Sequence, residues 1–254
     1  MSTGKEVRLK RILGEAGGTL MVAMDQAAVM GPAGLLTRPG EAIRLVEAAS
    51  PDSLLLTRGM FRHGLQEMSS RPGLVMRASG GFTVLEGARE FRDRLITGVE
   101  EALRWGADGV AAAVKFGHEL EGEFIQAVSA LSDACDRWGV PLLVEAMVAL
   151  RGSAGLSEEE ALAVTARVAA EMGADVVILK YPVKGGNLAE AVDGCPVPVL
   201  VALGESRAGE DLLGVAGRAL RDGAAGVLLD ASSLERESGA ELLRSVRGLL
   251  SQGD

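Results

Sequence analysis

Histidine and cysteine are scarce in this chain. The two histidines, His63 and His118, cannot build a histidine-rich zinc site. The two cysteines, Cys135 and Cys195, are far apart and match no metal or redox spacing. Neither a metal nor a cofactor is therefore expected. Cations are also in deficit: 26 Lys and Arg stand against 35 Asp and Glu, a net charge of −9. That balance argues against non-specific binding to nucleic acid or to anionic membranes, while leaving room for a local basic pocket. No run approaches the roughly 18 uncharged apolar residues of a membrane helix. The opening MSTGKEVRLKRILGEAGG is too charged to serve as a signal peptide. These absences predict a soluble cytoplasmic protein, with neither nucleic acid nor membrane among its partners.

What the chain does contain is apolar residues, 48% of the total, dealt out in short runs. The runs are TLMVAMD (19–25), SLLLT (53–57), LVMRAS (74–79), GVAAAVKF (109–116), PLLVEAM (141–147), VVILKYP (176–182), PVLVALG (198–204) and GVLLDAS (226–232). Each is rich in Val, Leu, Ile or Ala and lacks strict alternation, as expected of parallel strands covered on both faces. Helical patterns lie between them. SEEEALAVTARVAAEMGA (157–174) opens with Ser157 as N-cap and closes at Gly173. The stretches 121–139 and 208–224 end in the same way, with glycine before the next apolar run. Eight such units in 254 residues predict one (β/α)₈ TIM barrel domain over residues 1–254. A doubly wound open sheet is the alternative.

In a barrel of this kind, chemistry occupies the C-terminal ends of the strands. Those ends read Asp25, Arg58, Arg77, Lys115, Glu145, Lys180, Glu205 and Asp230, an ionisable residue for every strand. Arg77, Lys115 and Lys180 interrupt otherwise apolar runs. The set predicts a polar, mixed-charge pocket for a small polar substrate. Arg58, Arg77, Ser79, Gly204, Glu205, Asp230 and Ser232 are its candidate binding residues.

Side chains alternate along a strand, so Val176, Ile178 and Lys180 share a face. If that face points inward, Ile178 fills a core layer and Lys180 crowns it. A lysine in a half-dry cup loses hydration, which favours the neutral amine able to attack a carbonyl. The alternative is an end-of-strand lysine that snorkels to water. Asp25 either moves a proton or caps the segment after it. Glu145 needs a cationic partner, as a structural pair or as part of the site. Barrels often hold phosphate in the loops after strands seven and eight. Here Glu205 and Asp230 oppose an anion there.

Several stretches are similar to the class I aldolase family of the archaeal fructose-bisphosphate aldolase type. That family includes aminodeoxyheptulosonate synthase and the autoinducer-2 thiolase. The stretches are GKEVRLKRILGEAGGTLMVAMDQ, GPAGLL, LLLTRGMFRHG, RPGLVMRASG, ARVAAEMGADVV and CPVPVLVA. The resemblance runs from about residue 4 to residue 232. It implies a barrel, a Schiff-base lysine on strand six, an aspartate after strand one, and a homo-oligomer.

The chain departs from the family pattern at four places. Asp-His-Gly after strand one is Asp25-Gln26-Ala27. Counting forward from Gly-Ala-Asp puts the lysine position on Ile178, whereas counting back from GCPVP puts it on Lys180. The Tyr-Pro-Arg-Gly whose tyrosine donates a proton in relatives is Ala149-Leu150-Arg151-Gly152. The phosphate loops correspond to Leu203-Gly204 and Asp230-Ala231. The leading expectation is a lysine-dependent aldolase or carbon–carbon lyase that lacks the usual phosphate site. Lys180 is its nucleophile, Asp25 assists as acid or base, and Lys115 and Glu145 tune the amine. The alternatives are an isomerase or acyl transferase acting on an enolisable substrate without an imine, and a catalytically silent relative that binds a metabolite.

Overall fold

A computed structural model describes residues 2–14, 17–32, 34–86, 93–149, 155–182, 186–203, 211–234 and 239–251. Its centre is a closed barrel of parallel strands: β1 (Thr19–Met24), β2 (Ser53–Leu56), β3 (Gly73–Arg77), β4 (Gly109–Phe116), β5 (Leu142–Val148), β6 (Val176–Lys180), β7 (Val199–Leu203) and β8 (Gly226–Asp230). They pair in chain order around the ring, and β1 closes against β8 with Thr19 beside Gly226. That seam needs glycine, because a Cβ at position 226 would sit 2.2 Å from the Thr19 carbonyl oxygen. The helix predicted after Ser157 spans Glu158–Glu171. Ser157 and Glu160 form a reciprocal capping box at its start. No helix of the described residues is long and apolar enough to cross a membrane.

Alternation within the strands divides the core in two. Leu20, Val22, Leu54, Leu56, Val144, Val177 and Val201 face outward and are covered by helices. Met21, Leu55, Val75, Leu143, Ile178, Leu200 and Leu228 fill the interior. The floor is closed by an unanticipated helix, α1 (Thr3–Leu13), whose Ile12 joins the inner cluster and is fully buried.

Acids ahead of three strands fasten the floor. Asp52, Asp108 and Asp175 each accept a backbone N–H at the start of the preceding strand, from Leu20, Leu74 and Leu142. Each also holds a cation: Arg247 at 2.9 Å, Arg11 at 3.0 Å and Lys5 at 2.9 Å, respectively. One layer higher, the inward residues are small. Ala23, Ala113 and Ala202 stand above the Leu and Ile layer, and this change in side-chain volume opens a cavity at the C-terminal mouth.

Candidate active site

The cavity has a volume of about 600 Å³. Its charged lining comes from Asp25, Arg77, Asp93, Glu145, Lys180 and Asp230. Five of these six were read from strand ends, and the structure brings those five together.

Arg77 organises the group. The end of β3 points its guanidinium across the mouth, where Nε donates to Asp25 Oδ2 at 2.6 Å and Nη2 to Glu145 Oε2 at 2.7 Å. All three side chains are largely removed from water, at 13%, 14% and 21% exposure. Burial alone pulls the guanidinium pKa down, but the charges and hydrogen bonds of Asp25 and Glu145 outweigh it and raise the value. Arg77 is thus a permanent cation, and Glu145 finds a counter-ion in it.

Gln26 links a second pair of acids. Its Nε2 donates to Asp25 Oδ1 at 3.2 Å and to Asp230 Oδ2 at 2.5 Å. Two carboxylates on one side fix the amide orientation, and Oε1 is left buried without a hydrogen-bond partner. Asp230 also accepts the Ser232 backbone N–H at 2.7 Å, so that amide is occupied by a carboxylate.

Lys180 closes the inward face of β6, directly above the fully buried Ile178 and beside Ala202 of β7. It lines the cavity, as the alternation required, but it is exposed. The half-dry cup expected around it is open to solvent. Lys115 continues the inward face of β4 beyond Ala111 and Ala113 and is partly buried. It pairs in register with Met147, and it is not among the lining residues of the cavity.

Arg58 lies elsewhere. Thr57 caps the helix Arg58–His63 through its side chain, which accepts the Met60 N–H. Arg58 is exposed, contacts Thr97 Oγ1 at 3.4 Å and does not line the cavity. Ser79 does line it, and is buried. Ser232 is exposed. Gly204 and Glu205 lie outside the described residues, as do Leu150, Arg151 and Gly152.

Asp93 escaped the strand-end reading. It precedes Arg94–Leu95, which pairs antiparallel with Ser79–Gly80 in a small hairpin over the mouth. The hairpin carries the carboxyl into the cavity wall, where Oδ2 accepts the Ser79 hydroxyl at 2.8 Å. Ser79 Oγ in turn accepts the buried Ala113 N–H at 2.9 Å. Burial raises the Asp93 pKa, Ser79 and Arg77 oppose the rise, and Glu145 and Asp25 add to it.

Tyr181 also lines the cavity, but its hydroxyl donates to Asp222 at 2.9 Å. Burial, then Asp222, raises its pKa. That bond points away from the acids and ties the phenol to the outer helix layer. Among the described residues, no three His, Cys, Asp or Glu side chains are placed to hold a metal ion.

Comparison with known proteins fits this geometry. Residues 19–232 match the model of the DeoC/LacD family aldolases. The chain is 31% identical over 245 residues to the 3-hydroxy-5-phosphonooxypentane-2,4-dione thiolase of Enterobacter sp. (strain 638), covering 96% of this chain and 80% of that one. It is 30% identical over 249 residues to the thiolase of the same name from Escherichia coli (strain K12), covering 97% and 82%. Among solved structures, an archaeal fructose 1,6-bisphosphate aldolase superimposes with a TM-score of 0.82 at 25% identity, over 98% of this chain and all of that one. A Schiff-base-forming fructose-1,6-bisphosphate aldolase, caught in its reaction intermediates, reaches 0.83 at the same identity and the same coverage.

Proposed function

The chain belongs to the DeoC/LacD aldolase family, and from that premise we propose that Lys180 forms the imine of a class I aldolase or carbon–carbon lyase. One observation carries this assignment. Among the described residues, Lys180 is the only lysine lining the cavity, and it stands on the inward face of β6. Its amine attacks the substrate carbonyl, water leaves, and the iminium then accepts the electron pair of the breaking carbon–carbon bond. Because the amine is open to water, the bound substrate itself supplies the exclusion of solvent. Arg77 holds Asp25 and Glu145 as fixed acceptors for substrate hydroxyls.

The same charges bear on the substrate. Four acids line the cavity against Arg77 and Lys180, and the Arg77 charge is already shared by two carboxylates. The Ser232 amide, in the position from which a loop after β8 would bind phosphate, is taken by Asp230. These features favour a small hydroxylated carbonyl compound over a phosphorylated one of the kind in the relatives' name. The composition favours a cytoplasmic location and the family reading a homo-oligomer, the latter measurable by light scattering after gel filtration.

A second reading has one observation in its favour. Ile178, the position reached by counting from Gly173-Ala174-Asp175, is fully buried in the inner core and carries no amine. On that reading the charged ring polarises an enolate without an imine. Substitution separates the two. Lys180→Met lowers turnover by at least about 10³-fold if Lys180 is the nucleophile, the scale on which loss of a nucleophile acts. Retention of most of the activity selects the enolate reading.

A further inference from the structure

We propose that Asp93 is the proton carrier of this site, taking up the proton of the substrate hydroxyl as the carbon–carbon bond breaks and returning it to the enamine carbon. The proposal rests on the Lys180 imine for its chemistry, and on a separate set of contacts for its geometry.

The acids of the cavity differ in what holds them. Asp25 and Glu145 are each bound to the Arg77 guanidinium at 2.6 and 2.7 Å. Both are therefore already engaged as acceptors of a charge-assisted hydrogen bond. Asp230 accepts hydrogen bonds from the Gln26 amide and the Ser232 N–H. Asp93 has a neutral partner in the Ser79 hydroxyl, whose oxygen is itself fixed by the Ala113 N–H. Burial favours its protonation, Ser79 and Arg77 oppose that, and the like charges of Glu145 and Asp25 add to it. Among the described contacts, Asp93 is thus the cavity acid held by a hydroxyl and not by a guanidinium or an amide, and its hairpin places it in the wall of the same cavity as Lys180. The chain's one tyrosine, Tyr181, is engaged with Asp222.

The step balances without an outside reagent. The Asp93 carboxylate removes the proton of the hydroxyl on the carbon being released, and the O–H electron pair becomes the second bond of the new carbonyl. The carbon–carbon pair moves into the iminium to give the enamine. The Asp93 carboxylic acid then protonates the enamine carbon, which restores the iminium and the carboxylate. Water hydrolyses the iminium and frees Lys180.

The test separates this role from that of Lys180. Exchange of the hydrogen beside the carbonyl of dihydroxyacetone or hydroxyacetone for solvent deuterium is followed by NMR, alongside borohydride trapping of the same compounds. Asp93→Asn keeps an acceptor for Ser79. It is expected to lose exchange on the order of 10²-fold or more, the range of general acid–base catalysis, while its lysine is still trapped. Formate is expected to restore part of the exchange to Asp93→Ala.

Exchange at the wild-type rate in Asp93→Asn would overturn the proposal, as would a parallel loss of exchange and trapping, which marks a structural role. Absence of exchange by the wild-type protein with both compounds would overturn it as well. Wild-type exchange with no labelled lysine removes the Lys180 assignment instead, and a loss of exchange in Asp93→Asn then still supports Asp93.

Discussion

Arg77 Nε lies 2.6 Å from Asp25 Oδ2, joining the end of β3 to the residue just past β1 across the mouth of the barrel. The guanidinium reaches Glu145 with its other edge, so one cation spans three strands. Two largely buried carboxylates depend on it. Arg77→Met leaves both unpaired, and loss of one partner of a buried pair costs about 3–5 kcal/mol. Arg77→Lys keeps the charge but cannot supply two donors in a fixed fork, so it is expected to fall between the two. Urea denaturation of the three proteins checks the order.

Lys5 gives a second test, at the opposite end of the barrel. Burial lowers its pKa, but Asp136 at 2.5 Å and Asp175 at 2.9 Å outweigh burial and leave it raised above 10.5. A raised folded-state value means that the unfolded chain releases its proton first. The stabilisation is complete below about pH 10.5 and is lost as pH rises through the folded-state value. The wild-type urea midpoint should fall over that range more than that of Lys5→Met. Equal falls would contradict the assignment.

Asp93 reverses the sign. Burial raises its folded-state pKa above 3.8, so the folded protein holds the proton longer than the unfolded chain does. Wild-type stability is therefore eroded as pH rises from about 3.8 through the raised value. Asp93→Asn does not titrate. Its stability relative to wild type should increase over that interval and then level off, as read from thermal midpoints between pH 3.5 and pH 8.

At the seam of the barrel, Gly226→Ala places a methyl group 2.2 Å from the Thr19 carbonyl oxygen and 2.5 Å from its nitrogen. Both are backbone atoms held in the β1–β8 ladder, so neither can yield cheaply. The expected cost is about 3 kcal/mol or more. Gly122→Ala is the matched control. It lies on the exposed face of helix Glu121–Trp138 with nothing within 4 Å of the new Cβ, and should stabilise by up to about 1 kcal/mol. Circular dichroism melts of both variants check the contrast.

The barrel was legible in the sequence because parallel strands buried on both faces leave continuous apolar runs, and the ends of the eight runs fall within two residues of the observed strands. Floor helix α1 was not, because its buried face is narrow: Lys5 and Ile12 are its only buried residues, and one of them is charged. The strand-end rule found Asp25, Arg77, Glu145, Lys180 and Asp230 for the same reason that it missed Asp93. It reads only where strands stop, and Asp93 arrives from a hairpin inserted after β3. FRDRL carries no periodicity to mark it, and its charges read as a solvated loop. Arg58 shows the converse error. It follows an apolar run, but the Thr57 cap commits it to the first turn of a helix, and it does not line the cavity. The solvent access of Lys180 depends on how far the small residues Ala113 and Ala202 leave the mouth open, which no strand pattern encodes.

The central claim is that position 180 carries the carbon–nitrogen bond. The direct measurement is reduction with borohydride in the presence of dihydroxyacetone, followed by peptide mass mapping of wild type, Lys180→Met and Lys115→Met. A stable adduct on the peptide containing Lys180, absent from Lys180→Met and intact in Lys115→Met, is the predicted result. An adduct on Lys115, or adducts spread over surface lysines with none at position 180, would contradict the account.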